Sequence, residues 1–190
     1  TLIYTEDDFS PEAERQVADH TSVDGDPIFL RPWVREFIDR INSDSRIEFG
    51  VFTTATQEYA DNVCEQLFKD GEKQPLFVFA RNRCTFREPP ITAYGNMGSS
   101  PVVIKDLKKV FRATGYQKEN VLAIDDKFVF PRHRGNHLKV SPYQGEKEDS
   151  ELKAVWKGIK SVLASKNVRE CIRNHSLEAK EHNKESNLSP

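Results

Sequence analysis

Val121-Leu122-Ala123-Ile124-Asp125-Asp126 is the stretch that decides the fold. Four apolar residues run straight into two adjacent carboxylates, downstream of a helical pattern. In that setting a short continuous apolar run reads as a buried strand of a parallel sheet. Open α/β sheets hold their ligands beyond the carboxyl ends of such strands. Two acids there would set anionic oxygens on a rigid element facing a crevice, which suits a hard cation. Aspartate is also a favoured turn and cap residue, so a solvated turn is the alternative.

Upstream of this stretch the period of the apolar residues keeps switching. Thr1 to Thr5 is apolar and β-prone and reads as the tail of a strand, and Glu6 to Asp26 is polar, with a short helical piece expected around Glu12 to Ala18. Ile28-Phe29-Leu30 is a brief extended segment ending at Arg31-Pro32. Trp33, Val34, Phe37, Ile38 and Ile41 then fall on one helix face, with Pro32 at its start. Arg46 to Phe52 alternates as a strand and ends in the hydroxyl-rich turn Thr53-Thr54-Ala55-Thr56, before a helix carrying Tyr59, Ala60, Val63 and Leu67. Those threonines either cap the helix or line the strand exit. Leu76 to Ala80 is a buried strand whose exit is crowded by Arg81, Arg83 and Arg87 around Cys84. The arginines clamp an anion or line a solvated edge, and the lone cysteine is read as packing. Glu88 to Pro101 is a long irregular excursion of the kind that is commonly functional. Val102-Val103-Ile104 leads to Lys105-Asp106, and Leu107, Val110 and Phe111 mark a helix ending near Gly115.

Downstream, Lys127 to Asn136 is aromatic and basic, and His133 and His137 are given surface roles because no paired ligand spacing accompanies them. Leu138 to Val140 is a short strand and Ser141 to Glu148 a loop. Leu152, Val155, Trp156, Ile159, Val162 and Leu163 form the last amphipathic helix. Val168, Cys171 and Ile172 can extend a helix, whereas Asn174 to Pro190 has too little apolar surface to fold alone. Two parts are therefore expected: a folded domain over residues 1–165 and a polar, partly disordered extension over 166–190. The alternation of helix and strand gives an α/β fold with a central, mainly parallel sheet flanked by helices, and no stretch is long enough for a large cap domain.

Composition narrows the function classes. With 28 basic and 30 acidic residues the formal charge is −2, so there is no global electrostatic footprint for nucleic acid. Cys64, Cys84 and Cys171 form no C-x-x-C pair, which argues against a zinc site or disulfide framework and for a reducing intracellular compartment. No run approaches the roughly 20 apolar residues of a membrane span. The chain starts at Thr1 rather than Met, which is read as the loss of an upstream segment.

Thr53, Arg81, Lys105 and the Asp125-Asp126 pair all sit at or just beyond predicted carboxyl ends of strands, which share one edge in a parallel sheet. Hydroxyl, guanidinium, ammonium and two carboxylates together suit phosphoryl transfer, where catalysis is mostly positioning and charge neutralisation.

The order of these motifs resembles that of the Fcp/Scp-type, NLI-interacting-factor-like phosphatases of the haloacid dehalogenase superfamily. The matching residues are Arg31-Pro32, Phe52-Thr53-Thr54-Ala55 with Tyr59-Ala60-Asp61, Arg81 to Cys84, Lys105-Asp106-Leu107, and Val121 to Asp126 with Val129-Phe130-Pro131. The resemblance covers roughly Thr1 to Leu163. It implies a haloacid dehalogenase-like Rossmannoid fold and a Mg²⁺-dependent phosphoserine/phosphothreonine protein phosphatase. Such enzymes form an aspartyl-phosphate and include those acting on the RNA polymerase II C-terminal domain. The family's first motif is Asp-x-Asp-x-Thr, and Thr1-Leu2 looks like its end, which puts the nucleophilic and acid/base aspartates upstream of residue 1. The resemblance further implies a role for Thr1 at the catalytic motif and for Thr53 as a hydrogen-bond donor to phosphoryl oxygens. Lys105 would neutralise the phosphate, Asp126 would ligate Mg²⁺, and Asp125 would hold Lys105 or assist at the metal. Arg81 and Thr54 would contact the substrate, although the Arg81 to Lys105 interval is longer than the family's usual spacing. The expected partner is a phosphorylated protein or peptide met by a monomer in the nucleus or cytoplasm. Two rivals remain at this point: an inactive member that binds a peptide through the same cleft, and a phosphatase for a small metabolite.

Overall fold

The computed structural model describes residues 1–5, 18–88, 101–165 and 167–174 of the chain. The helical piece expected around Glu12 to Ala18, the interior of the 88–101 excursion and the end of the polar extension lie outside the described residues.

The chain opens with β1 (Ile3–Thr5), β2 (His20–Thr21) and β3 (Pro27–Leu30), which form a small antiparallel sheet in the order β1-β3-β2. The helix α1 (Val34–Ser43) follows, then β4 (Val51–Phe52), α2 (Gln57–Leu67) and β5 (Val78–Phe79). Next come β6 (Thr85–Arg87) and β7 (Val102–Ile104), paired antiparallel, and α3 (Lys108–Thr114). The last elements are β8 (Ala123–Asp125), β9 (His137–Lys139) and α4 (Glu151–Ala164), with a further helical segment over 168–174. Two ladders are parallel: β4 with β5, and β8 with β9. This is the α/β class expected from the alternation of periods.

Alternate residues of the parallel strands are buried against opposite layers. Leu122 and Ile124 pack into a cluster with Phe37 and Ile38 of α1, Val63 and Leu67 of α2, and Leu152 and Val155 of α4. Val121 and Ala123 pack on the other side, with Val110 of α3, Leu107, Val129 and Phe130. Val51 and Val78 face the first cluster, while Phe52 and Phe79 face the second. Burial on both faces is what makes these strands continuous apolar runs rather than alternating ones. Gly50 lies against this layer at a close approach, because a Cβ there would run into the Phe77 ring.

Helix ends are satisfied by side chains from elsewhere. Lys73 Nζ donates to the carbonyls of Ile41, Asp44 and Ile47 at 3.2, 2.6 and 3.0 Å, closing the C-terminal end of α1. Arg35 Nη1 and Nη2 donate to Leu67 and Gln66 carbonyls at 2.5 and 3.0 Å, doing the same for α2. At the start of α2 the Thr56 hydroxyl accepts from the Tyr59 N–H at 3.3 Å.

The structure corrects several expectations. Trp33 precedes α1 instead of lying within it, with φ 70° in the left-handed region. Its ring is covered by Phe37 and by the Arg40 guanidinium 5.0 Å from the ring centre, packing that offsets the backbone cost. The strands expected over Arg46 to Phe52 and Leu76 to Ala80 pair as ladder only at Val51–Phe52 and Val78–Phe79, and Leu76 is exposed. His133 and His137 are both buried, not on the surface. Aromatic rings explain this: Phe111 meets His133 edge-on, and Phe130 meets His137. The packed chain also runs past residue 165, since Val168 and Ile172 are buried and Arg169 Nη1 donates to Asn136 Oδ1 at 3.1 Å.

Candidate functional site

Asp125 is the last residue of β8, and the ladder to β9 fixes its backbone. Its carbonyl accepts from Val140 N–H at 3.2 Å and lies 2.9 Å from His137 Nε2. Its carboxylate is equally committed. Oδ2 accepts from Lys105 Nζ at 2.6 Å, and Oδ1 from the Lys127 N–H at 2.8 Å. Lys105 follows β7 directly and is tied to the β8 exit through its N–H, which donates to Val129 carbonyl at 2.8 Å. Both side chains are about nine-tenths buried. A buried ammonium keeps its charge only with such a partner, so the pair carries each member across the desolvation cost.

Asp126 bonds the first residue of the sequence. Its Oδ1 accepts from the Thr1 hydroxyl at 3.1 Å and lies 3.4 Å from the Thr1 nitrogen. Thr1 is fastened from behind as well. Arg31, almost wholly buried, donates through Nη1 to Thr1 carbonyl at 3.1 Å and to Ser141 carbonyl at 2.9 Å. Its Nε and Nη2 form a bidentate pair with Asp149 at 2.9 and 2.6 Å.

The remaining expected residues lie at the other parallel pair, β4 with β5, which forms a ladder separate from β8 with β9. Thr53 directly follows β4; its N–H donates to Phe79 carbonyl at 2.8 Å, and its hydroxyl oxygen accepts from Ala55 N–H at 3.2 Å. The cap of α2 is Thr56, so of the two roles left open for these threonines, capping falls to Thr56. Arg81 Nε donates to Thr54 carbonyl at 2.8 Å and Arg81 N–H to Ala55 carbonyl at 2.8 Å, which ties the exits of β4 and β5 together. Cys84 joins this group to the other. Its Sγ donates to Thr53 carbonyl at 3.5 Å. Burial raises its thiol pKa, Lys105, Lys109 and Arg81 oppose that, and Asp125 adds to it.

The structure thus brings Lys105 to Asp125 and Thr1 to Asp126, and sets Thr53, Thr54 and Arg81 on the adjoining strand exits with Cys84 between. Sequence reasoning missed His137 and gave Arg31 no place in the site. Both act on backbone carbonyls, which leave no pattern in the sequence.

The donor set for a cation is oxygen-rich but small. Among the described residues no group of three or more His, Cys, Asp or Glu is gathered. Mg²⁺ needs no such cage, since it is held by one or two carboxylates with waters and substrate phosphates. Asp126, an ionised carboxylate not engaged with Lys105, fits that chemistry. Among the described residues no helix is long and apolar enough to cross a membrane.

Comparison with curated proteins gives no significant match. Two solved structures are similar in outline. One is Fcp1, an essential RNA polymerase II CTD phosphatase, with TM-score 0.49 and 17% identity over 93% of this chain and 50% of that one. The other is a variant of the fission yeast RNA polymerase II CTD phosphatase Fcp1 bound to beryllium fluoride, with TM-score 0.49 and 17% identity over 95% of this chain and 53% of that one. The chain therefore spans about half the length of each. Residues 1–169 match the model of the NLI interacting factor-like phosphatases, and the chain belongs to that family.

Proposed function

We propose that this chain is the folded part of a Mg²⁺-dependent phosphoserine/phosphothreonine protein phosphatase, with phosphorylated polypeptide of the RNA polymerase II C-terminal-domain type as its substrate. The observation that carries the reading is the buried contact of 2.6 Å between Lys105 Nζ and Asp125 Oδ2, with Asp126 next in the chain and bonded to Thr1. Membership of a family described as phosphatases supports the reaction class.

On this reading each side chain has a defined task. An ammonium has three N–H donors, and Lys105 gives one to Asp125, which leaves others for phosphoryl oxygens. Asp125 is a positioning residue that keeps Lys105 aimed by accepting from its Nζ. Thr53 accepts from Ala55 N–H and its O–H has no acceptor among the described residues, which leaves it to donate to a phosphoryl oxygen. Arg81, and Thr54 whose carbonyl holds it, form the substrate-contacting rim. Asp126 would hold Mg²⁺, which when bound would neutralise phosphate charge. The phosphoryl group passes from the serine or threonine oxygen to an aspartate of the motif that ends at Thr1-Leu2. The P–O ester bond breaks as the new one forms, and the alcohol leaves with a proton from the motif's second acid. Water, deprotonated by that acid, then attacks phosphorus and releases inorganic phosphate. The protein acts as a monomer in the nucleus or cytoplasm.

The test is hydrolysis of a phosphoserine peptide, with and without Mg²⁺, by protein that includes the residues preceding Thr1. Lys105→Ala and Asp126→Ala serve as variants and circular dichroism as a check on folding. Loss of one preorganised charge partner typically lowers kcat by about 10²–10³-fold. Folded variants that keep full activity would remove these residues from the site. Peptide binding without turnover by the parent protein would instead favour an inactive, peptide-binding member of the family.

A further inference from the structure

On the outer side of α3 lies an open dish of roughly 480 Å³, lined by Lys108, Phe111, Arg112, Tyr116, Lys118 and His133. We propose that this dish is a second binding site, which takes a phosphorylated serine or threonine within an acidic stretch of polypeptide. That the polypeptide is the substrate rests on the phosphatase reading above; the binding itself does not.

Three permanent cations border the dish, and no carboxylate lines it. The nearby acids already have partners. Glu48 accepts from the Tyr116 hydroxyl, Glu119 lies 3.8 Å from Lys118 Nζ, and Asp106 lies 3.8 Å from both Arg132 Nη1 and His133 Nδ1. Lys118 therefore shares its charge with Glu119, and the incoming group meets Lys108 and Arg112, for which no acid partner is found among the described residues. Lys108, Arg112, Tyr116 and Lys118 are exposed rim residues, while the floor is half-buried Phe111 against buried His133. The His133 Nδ1 is buried without a hydrogen-bond partner among the described residues, so the floor keeps unused polar capacity beside the ring face. A shallow cationic rim over an aromatic floor suits a flexible chain that lays down one phosphate and its neighbouring methylenes. A nucleotide or other small ligand calls for an enclosing pocket that covers most of its surface.

The position matters for the reaction. Lys108 is three residues beyond Lys105, a span of at most about 11 Å of extended chain. Lys105 contacts Asp125 and Lys108 lines the dish, so one short segment contributes a residue to each site. A polypeptide phosphorylated at two positions can rest one phosphate in the dish while another is processed.

The experiment is fluorescence anisotropy of a labelled acidic peptide bearing one phosphoserine, with its unphosphorylated twin. It is run in EDTA to withhold the ion on which the proposed turnover depends. The triple variant Lys108→Ala/Arg112→Ala/Lys118→Ala changes only exposed side chains and is expected to keep its melting temperature. Losing three exposed charge contacts should weaken phosphopeptide binding by about tenfold and leave the twin's weak binding nearly unchanged. The triple variant should also hydrolyse a small aryl phosphate at the parental rate. Unchanged phosphopeptide affinity in the triple variant, equal losses for both peptides, or full displacement by equimolar adenosine monophosphate would each overturn the proposal. If the dish binds as expected while the parent hydrolyses nothing, the phosphatase reading fails and the binding site stands.

Discussion

Replacing Asp149 by alanine should destabilise the fold out of proportion to its partly solvated position. Arg31 is 1% exposed, and Asp149 takes two of its hydrogen bonds. The carbonyls of Thr1 and Ser141 take the others, and the Tyr143 ring lies 5.5 Å from the guanidinium carbon. Asp149→Ala removes the only full negative charge among these partners, and a buried charge stripped of its partner costs about 3–5 kcal/mol. For a chain of this size that corresponds to a fall of about 10 °C in Tm. Asp149 also accepts from the Glu151 N–H at the start of α4, so Asp149→Asn, which keeps an acceptor there, separates the lost charge from the lost cap. The double variant Arg31→Met/Asp149→Ala should recover part of the loss, because no buried charge remains. It should not recover all of it, because two carbonyls lose their donor. Acid adds a second signature. The Arg31 hydrogen bonds, opposed by burial and helped by the Glu151 N–H, hold the Asp149 carboxyl below its ordinary value. A lowered pKa contributes stability that is full above the ordinary value near 4 and disappears as pH falls through the folded value. The parent should therefore lose more stability below about pH 4 than Asp149→Ala does. Urea unfolding followed by the fluorescence of Trp33 and Trp156 reads both effects. A single-variant loss under about 1 kcal/mol, or a double variant as unstable as the sum of the singles, would refute the reasoning.

Gly50→Ala should cost about 1–3 kcal/mol through overpacking, since the new methyl meets a Phe77 ring that already stacks on Phe79 at 4.4 Å; an unchanged urea midpoint would show that the ring moves freely. Thr56→Ala should cost about 1 kcal/mol by freeing the Tyr59 N–H at the start of α2, and faster hydrogen exchange of the first turn of α2 would accompany it. Burial raises the Cys64 thiol to about 11 and also lifts that of Cys84, whereas Cys171 is half-buried. At pH 8 a thiol reagent should therefore label Cys171 well before the other two, and rapid labelling of Cys84 in folded protein would contradict the packing described here.

What could be read in advance follows from where each signal is written. Val121 to Ile124 announced a two-sided strand because both neighbouring layers demand apolar side chains, and the layers are there. The helices were legible for the same reason: Phe37 with Ile38, Val63 with Leu67, and Leu152 with Val155 each record a face. Lys105, Asp125 and Asp126 could be singled out because charge at a strand exit is conspicuous in an apolar context, and the structure pairs the first two. The histidines were misplaced because their burial depends on rings brought from other segments, such as Phe111 for His133. Trp33 was drawn into the helix by its apolar character, while its left-handed backbone is set by contacts with Phe37 and Arg40. The hold of Arg31 on Thr1 spans 30 residues and ends on a carbonyl, so no spacing rule points to it.

That same arginine has a bearing on how the chain is made. During synthesis Arg31 leaves the ribosome 118 positions ahead of Asp149, and Thr1 emerges 125 ahead of Asp126. Closures over such distances cannot form while the intervening chain is still being translated. The first third of the polypeptide is thus left with a guanidinium destined for the interior and nothing to neutralise it. Its final arrangement has to wait for the last third, so nascent chains stalled before residue 149 should stay open to proteolysis around Arg31.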